Sequence, residues 1–375
     1  MRKFKVKNLS IDENGILTYN SNRIFLSNII FNQKFEILVK PLDEVKRGQV
    51  ILARDNQKIL SPFCGKVLSI KLDKNIENEL VYYIEIEKNN KNDEIYFEKP
   101  NVLNKDELIN MCENFGILSE NNFASILLKK MNCNLLINAY DLPFVFNNKL
   151  LLEKEENVLK NCLEKLVKIC TYKKVIFYTN KSKKNAINNL SKTFLNHLDY
   201  KPKIVIKTKQ CKSGLMLCDL VNIFNAFNGY FQDKKLITIN GGALNKNSVV
   251  KTEFGTPINS LINFTGSFKQ NIEEIEDYKY MALVAFNDEN ILREKIKKEK
   301  NPESKQKLEK MLKEKQNEAN KNIFSKLEEY HQKILNCLSV CLINGKKSNI
   351  QTKNFELPID YEFFGIHFLS FNEFR

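Results

Sequence analysis

Val39-Lys-Pro-Leu-Asp-Glu-Val-Lys-Arg-Gly-Gln-Val-Ile-Leu-Ala53, followed closely by Ile59-Leu-Ser-Pro-Phe-Cys-Gly-Lys-Val-Leu-Ser-Ile70, decides how the first hundred residues read. Asp43 and Gly48 suit a tight turn between strands, and Ser61-Pro62 with Gly65 suits a second, quasi-symmetric one. Asp and Pro bias the backbone into turns, and Gly supplies positive φ without steric cost. Short apolar runs flank these turns at Phe4–Val6, Ile24–Leu26, Ile37–Val39, Val50–Leu52, Val67–Ile70 and Leu80–Ile86. Their length and turn-bounded spacing predict strands, so residues 1–99 are expected to form a β domain.

Beyond that the period changes. Asn104-x-x-Glu107 has the form of a capping box that opens a helix, and Gly116 can close it. Strand runs at Leu135–Asn138, Val175–Thr179, Ile204–Lys207 and Leu236–Asn240 then alternate with helical stripes. The expected stripes are Val158/Cys162/Leu166/Ile169, Ala186/Leu190/Phe194/His197 and Leu217/Val221/Phe224/Phe227. Such alternation predicts βαβ units and a mainly parallel sheet over 100–232. A small module spans 233–270, from Leu236-Ile-Thr-Ile-Asn-Gly-Gly242 to Phe254-Gly-Thr-Pro-Ile-Asn-Ser-Leu-Ile262. Residues 271–375 read as a charged helical segment, broken at the Asn301-Pro302 cap, with a Phe-rich tail. The stripe after that cap is expected to continue through Leu327, Tyr330 and Ile334.

Composition narrows the function classes. Lys and Arg number 59 against 45 Asp and Glu, a formal charge of +14, yet Arg stands only at 2, 23, 47, 54, 293 and 375. Nucleic-acid readers rely on Arg forks, and no aromatic RNA-binding motif or zinc finger is visible, so no nucleic acid is expected as a partner. An anionic membrane surface or an acidic partner suits the charge equally. No apolar run is long enough to cross a bilayer, and the N-terminus has no signal-peptide core, so an intracellular soluble chain is expected. The nine cysteines include no C-x-x-C pair and read as core residues, not as disulfides or metal ligands. Cys337 and Cys341 are expected at helical i, i+4 spacing. His197, His331 and His367 lack ligand-type neighbours, and no P-loop, nucleophile–base pair or paired catalytic carboxylate occurs.

The quasi-symmetric turns resemble a barrel-sandwich hybrid, the fold of biotinyl and lipoyl carriers. Lys58 lies where a carrier lysine would, but without the flanking residues of one, so it reads as a surface lysine. With that module first, the chain resembles the RnfC component of the Rnf ion-motive electron-transport complex and the related NqrA component of the sodium-translocating NADH:quinone reductase. Ile24-Phe-Leu-Ser27 with Leu38-Val-Lys-Pro-Leu-Asp-Glu-Val-Lys-Arg-Gly-Gln49 is similar to the family's N-terminal module, with Leu42 where a Gly usually precedes the Asp. Leu135-Leu-Ile-Asn-Ala-Tyr-Asp-Leu-Pro-Phe144 is similar to its Leu-Ile-Asn-Gly-x-Glu-Cys-Glu-Pro-Tyr segment, and Leu236–Leu261 to its β-grasp (SLBB) module. The resemblance implies a multi-domain α/β protein: barrel-sandwich hybrid, central Rossmann-like parallel sheet, SLBB-like module and helical C-terminal segment. It implies a peripheral component on the cytoplasmic, inner face of the cell membrane, with membrane subunits of the complex as partners.

The cofactors that the family implies, FMN or NADH and iron–sulfur clusters, are not expected here. Its glycine-rich phosphate loop corresponds to Gly116-Ile-Leu-Ser-Glu-Asn-Asn-Phe-Ala-Ser125, which has no internal Gly and places Glu120 where phosphate would sit. Its cluster-binding cysteine runs are absent, and its acidic pair is reduced to Asp141, with Leu142 in the place of Cys. The alternatives are a non-redox scaffold that binds a ligand or partner and, further off, a carrier modified at Lys58. Ligands of open α/β sheets bind at the carboxyl edge, which makes Asn138 and Asp141 after one strand, and Asn180 and Lys181 after the next, the candidate binding residues. Anaerobically purified protein is predicted to be colourless; stoichiometric FMN or iron in it would overturn that reading.

Overall fold

The computed structural model describes residues 16–75, 79–118, 123–141, 147–209, 214–240, 244–266, 272–299, 301–321, 337–343, 346–347 and 363–370. The expected strand Phe4–Val6, Glu120, Leu142 and the stripe positions Leu327, Tyr330 and Ile334 lie outside these residues.

The N-terminal strands are β1 (Ile16–Thr18), β2 (Arg23–Ser27), β3 (Ile29–Ile30), β4 (Gln33–Lys34), β5 (Glu36–Ile37), β6 (Glu44–Val45), β7 (Val50–Arg54), β8 (Gln57–Leu60), β9 (Gly65–Lys74) and β10 (Leu80–Lys88). Two antiparallel sheets, β2-β10-β9-β6 and β5-β7-β8, contribute Ile24, Leu26, Val67, Ile84 and Ile86 from one and Ile51, Leu52 and Ile59 from the other to a single apolar core. Residues from later in the chain complete it. Phe123 stacks on Phe35 at 5.7 Å and meets Phe31 edge-on at 5.9 Å, and Leu118 and Phe254 close the same core. Burying such rings is worth roughly 1.5–3 kcal/mol each. The N-terminal sheets are therefore packed by the segments that follow them.

The middle of the chain runs α1 (Lys105–Asn114), α2 (Ala124–Lys130), β11 (Asn134–Ala139), α3 (Asn147–Lys154), α4 (Glu156–Cys170), β12 (Lys174–Thr179), α5 (Lys184–Leu195), β13 (Lys203–Lys207), β14 (Leu215–Met216) and α6 (Leu217–Ala226). Asn104 caps α1 by accepting the Glu107 N–H at 3.0 Å, and Gly116 follows its end at φ +61°. The sheet order is β13-β12-β11-β14, parallel throughout. Strand order reverses between β11 and β14, which makes that pair a topological switch point. The helix faces differ by about one residue from the expected stripes. On α4 the buried set is Leu159, Cys162, Leu163, Leu166 and Val167, with Val158 and Ile169 only half-buried. On α5 it is Ile187, Leu190, Ser191 and Phe194, while Ala186 and His197 are exposed. Both helices keep the expected period but turn the neighbouring apolar residues inward.

A six-stranded mixed sheet gathers distant parts of the chain. Its strands are β1 with β15 (Lys234–Asn240), β16 (Ser248–Glu253), β17 (Cys337–Ile343), β18 (Lys346–Lys347) and β19 (Phe363–Ser370), ordered β1-β16-β15-β19-β17-β18. β1 is parallel to β16, and β19 is parallel to β15, with Asn240 opposite His367. The short helix α7 (Ile258–Phe264) follows β16. This adds strands to the expected helical segment with its Phe-rich tail. The helices α8 (Ile272–Lys298) and α9 (Pro302–Ala319) are present, with Asn301 capping the second, but the chain then turns to strands. Cys337 and Cys341 belong to a strand, not a helix face. A short apolar run with β-branched residues is the pattern periodicity cannot separate from a helix segment.

The opening motif forms two turns of one design. In Lys40-Pro41-Leu42-Asp43 the Asp43 N–H donates to Lys40 O at 3.1 Å, and the Asp43 carboxylate accepts the Lys40 N–H at 2.8 Å. In Lys46-Arg47-Gly48-Gln49 the Gln49 N–H donates to Lys46 O at 3.1 Å, and the Gln49 amide oxygen accepts the Lys46 N–H at 3.0 Å. Both turns need positive φ at their third residue, as a type II turn does. Gly48 supplies it at +82°, whereas Leu42 is held there at +76° with its side chain 68% exposed. Lys58 lies in β8 opposite Ala53, away from the Asp55-Asn56 tip, and its ammonium donates to Asn114 Oδ1 at 2.8 Å. Leu42→Gly should raise stability by about 1 kcal/mol, because it removes left-handed strain at a side chain that packs little. A denaturant midpoint unchanged or lowered in that variant would contradict this reading of the turn.

Candidate functional site

Asp141 follows β11, and its carboxylate is the centre of the carboxyl edge. The side chain is buried, and Oδ1 accepts the Asn148 N–H at 3.0 Å while Oδ2 accepts that of Lys149 at 3.2 Å. Those donors belong to the first described turn of α3, where backbone N–H groups have no partner within the helix. Lys183 donates to Asp141 Oδ2 at 2.6 Å and to Ala139 O at 3.2 Å. Asn180 clasps the same loop from β12: its oxygen accepts the Asp141 N–H at 2.8 Å, and its amide donates to Asp141 O at 3.1 Å. Two strand ends, α3 and the 3-10 turn Lys181–Lys183 are thereby tied to one carboxylate.

Of the four expected residues, the structure brings together Asp141 and Asn180 directly. Asn138 is buried nearby, at the end of β11, and its side-chain oxygen accepts the Tyr140 N–H at 3.1 Å. Lys181 is exposed and takes no part in this cluster. The lysine that enters is Lys183, two residues on, which sequence reasoning missed. Its signal was a buried-looking Asp141 in need of a cation from a run containing Lys181, Lys183 and Lys184. The neighbouring network is also amide-rich: Asn147 donates to Leu236 O at 3.2 Å and accepts from Thr238 Oγ1 at 2.7 Å, joining α3 to the mixed sheet. The buried oxygens Asn148 Oδ1 and Thr179 Oγ1 have no hydrogen-bond partner here.

Burial pushes the Asp141 carboxyl above its ordinary 3.8, with Lys183 and the α3 N–H groups pulling the other way. Burial likewise lowers Lys183 from its ordinary 10.5, against the pull of Asp141, with Lys149 lowering it further. Across the switch point stands a second buried carboxylate, Asp219, which accepts the Met216 N–H at 2.6 Å at the start of α6. These residues do not fit a dinucleotide pyrophosphate. Two N–H groups at the start of α3, where a phosphate would be received, are engaged by Asp141, and a phosphate there would meet that carboxylate and an ammonium already committed to it. Two of the buried thiols, Cys112 and Cys162, are no better suited to redox work. Burial pushes Cys112 and Cys162 far above the usual thiol range, and a thiol that cannot ionise is inert. Among the described residues there is no cluster of His, Cys, Asp and Glu that could hold a metal ion, and no helix long and apolar enough to cross a membrane.

No known protein family matches the chain, and no curated protein matches it. Solved structures of an NAD+-reducing NiFe hydrogenase are weakly similar. The air-oxidised state is 10% identical over 45% of this chain and 40% of that one, with a TM-score of 0.37. The hydrogen-reduced state is 10% identical over 44% and 39%, with a TM-score of 0.36. The chain thus spans about two-fifths of the length of its neighbours.

Lys183→Met should cost about 3–5 kcal/mol, because it strands a buried carboxylate, whereas Lys181→Ala should stay within about 0.5 kcal/mol. The sign of the pH effect follows from Asp141. A carboxyl whose folded pKa lies above its unfolded value binds its proton more tightly when folded, so its contribution falls as pH rises through that interval. The Lys183→Met deficit should therefore be smaller near the ordinary carboxylate value of 3.8 than at neutral pH. Denaturant titrations of the two variants at both pH values check it; equal losses in the two would remove Asp141–Lys183 from the centre of the site.

Proposed function

We propose that this chain is a non-catalytic, partner-binding component on the soluble side of an electron-transport assembly, of the kind to which the Rnf complex and the sodium-translocating NADH:quinone reductase belong. The observation that carries the non-catalytic half is the engagement of the α3 N–H groups by the chain's own Asp141 carboxylate. A nucleotide would have to displace an internal ion pair to reach that helix. Support for the assembly half comes from the order of elements: a β sandwich with paired turns, a parallel α/β sheet, then a mixed sheet. On this reading the domains are a barrel-sandwich hybrid, a Rossmann-like sheet and an SLBB-like module. Asn138, Asp141 and Asn180 then hold the scaffold together and contact no flavin, and Lys181 is a surface residue.

The partners proposed are the membrane subunits of such an assembly, with the chain peripheral on the cytoplasmic face. The hairpin of α8 and α9 is the docking element in this proposal. Its helices are joined by Lys315–Asp288 at 2.7 Å and Gln316–Glu289 at 3.0 Å, and Lys295, Lys297 and Lys298 are exposed at its far end. Flotation of the full-length protein with vesicles tests this. Binding to vesicles that carry the membrane subunits, weakened as added salt shortens the Debye length below about 8–10 Å and by Lys295→Glu with Lys298→Glu, is expected. No binding at low salt, or equal binding to protein-free vesicles of the same lipid, would sink the proposal.

A further inference from the structure

A cleft of 660 Å³ that shares no lining residue with the Asp141 cluster opens between the Pro62–Cys64 turn, the chain that leaves β10 and the ends of β15 and β16. Its volume falls within the roughly 300–1,000 Å³ typical of small-molecule sites. Its acids are already committed: Glu94 and Asp233 to Arg47, and Glu253 to Lys234 and the Ser21 N–H. Arg47 sits over the Phe231 ring at 4.8 Å, and Lys234 also donates to Asn20. Those interactions make the cleft a built feature, since they hold opposite walls at fixed separation.

What is left over is one-sided. Lys88, exposed beside the cleft, sits 6.0 Å from the centre of the Phe63 ring and pairs with no carboxylate among the described residues. The side chains of Asn90 and Asn92 line the same wall and are exposed. An unpaired ammonium recognises an anion, and amides recognise hydroxyl groups by donating and accepting together. We propose that this cleft binds a small hydroxylated anion, a sugar acid or sugar phosphate, with the charge at Lys88 and the hydroxyl groups against Asn90 and Asn92.

Calorimetric titration of the full-length protein with gluconate, glucose phosphate, glucose and inorganic phosphate tests the assignment. At least one of the two anionic sugars should bind tighter than about 1 mM, with glucose and phosphate alone at least tenfold weaker. Lys88→Gln should weaken that binding about tenfold, and Asn90→Ala with Asn92→Ala should do the same. Because all three side chains are exposed, the melting temperature of the ligand-free variants should not change. Binding by neither sugar anion, equal binding of phosphate alone, or full affinity in Lys88→Gln would each overturn the proposal. Gluconate and glucose phosphate, compared directly, tell a carboxylate ligand from a phosphate one.

Discussion

Arg47 ties together parts of this protein that lie far apart in the chain. Its backbone N–H donates to Asp93 O at 3.1 Å, its carbonyl accepts the Ile95 N–H at 2.8 Å, and its guanidinium reaches Glu94 and Asp233 while stacking on Phe231. One residue thus fixes a turn of the N-terminal sandwich, the strand-like passage out of it, and the approach to β15. A planar fork suits this position, because its separate N–H groups reach the two carboxylates while the guanidinium sits over the ring. The turn that presents Arg47 depends in turn on Gly48, where an added Cβ would lie 2.8 Å from Phe97. The cleft rests on this arrangement.

Asp141 plays the matching part at the carboxyl edge. Open α/β sheets present helix N-termini and loop amides there, and those groups usually wait for a ligand. Here the chain answers them from within. The cost is a buried carboxylate whose charge is opposed by its own surroundings. The return is a rigid junction of β11, β12, α3 and α5, joined onward through Asn147 and Thr238 to the mixed sheet.

Much of this architecture is legible in the sequence where the signal is local. Turn residues with short apolar runs locate the strands of the sandwich, and Asn104, Gly116 and Asn301-Pro302 mark helix ends where the structure has them. Helix faces were displaced because α4 and α5 offer adjacent apolar residues, Val158 beside Leu159 and Ile187 beside Ala186. The elements packed against them choose between such neighbours, and a periodicity holds no record of that choice. Lys183 was hidden for a similar reason. Three lysines crowd the start of α5, and the geometry of a single 3-10 turn selects the one that faces Asp141. The C-terminal strands were hidden most completely: β17 is a short apolar run that periodicity cannot tell from a helix segment, and β19 has one partner, β15, far away along the chain.

That distance bears on how the protein is made. β15 cannot gain its β19 neighbour until Phe363–Ser370 has emerged, about 130 residues after Asn240. At a synthesis rate of roughly 5–20 residues per second, the delay is about 6–26 s. The sandwich and the parallel sheet can close on the ribosome during that time, but one edge of β15 stays open, a row of unpaired backbone groups. The nascent chain therefore has a vulnerable interval that ends only when its last described strand arrives. Slow-translating stretches between α9 and β19 would lengthen that exposure, and a chaperone that covers strand edges would shorten its consequences.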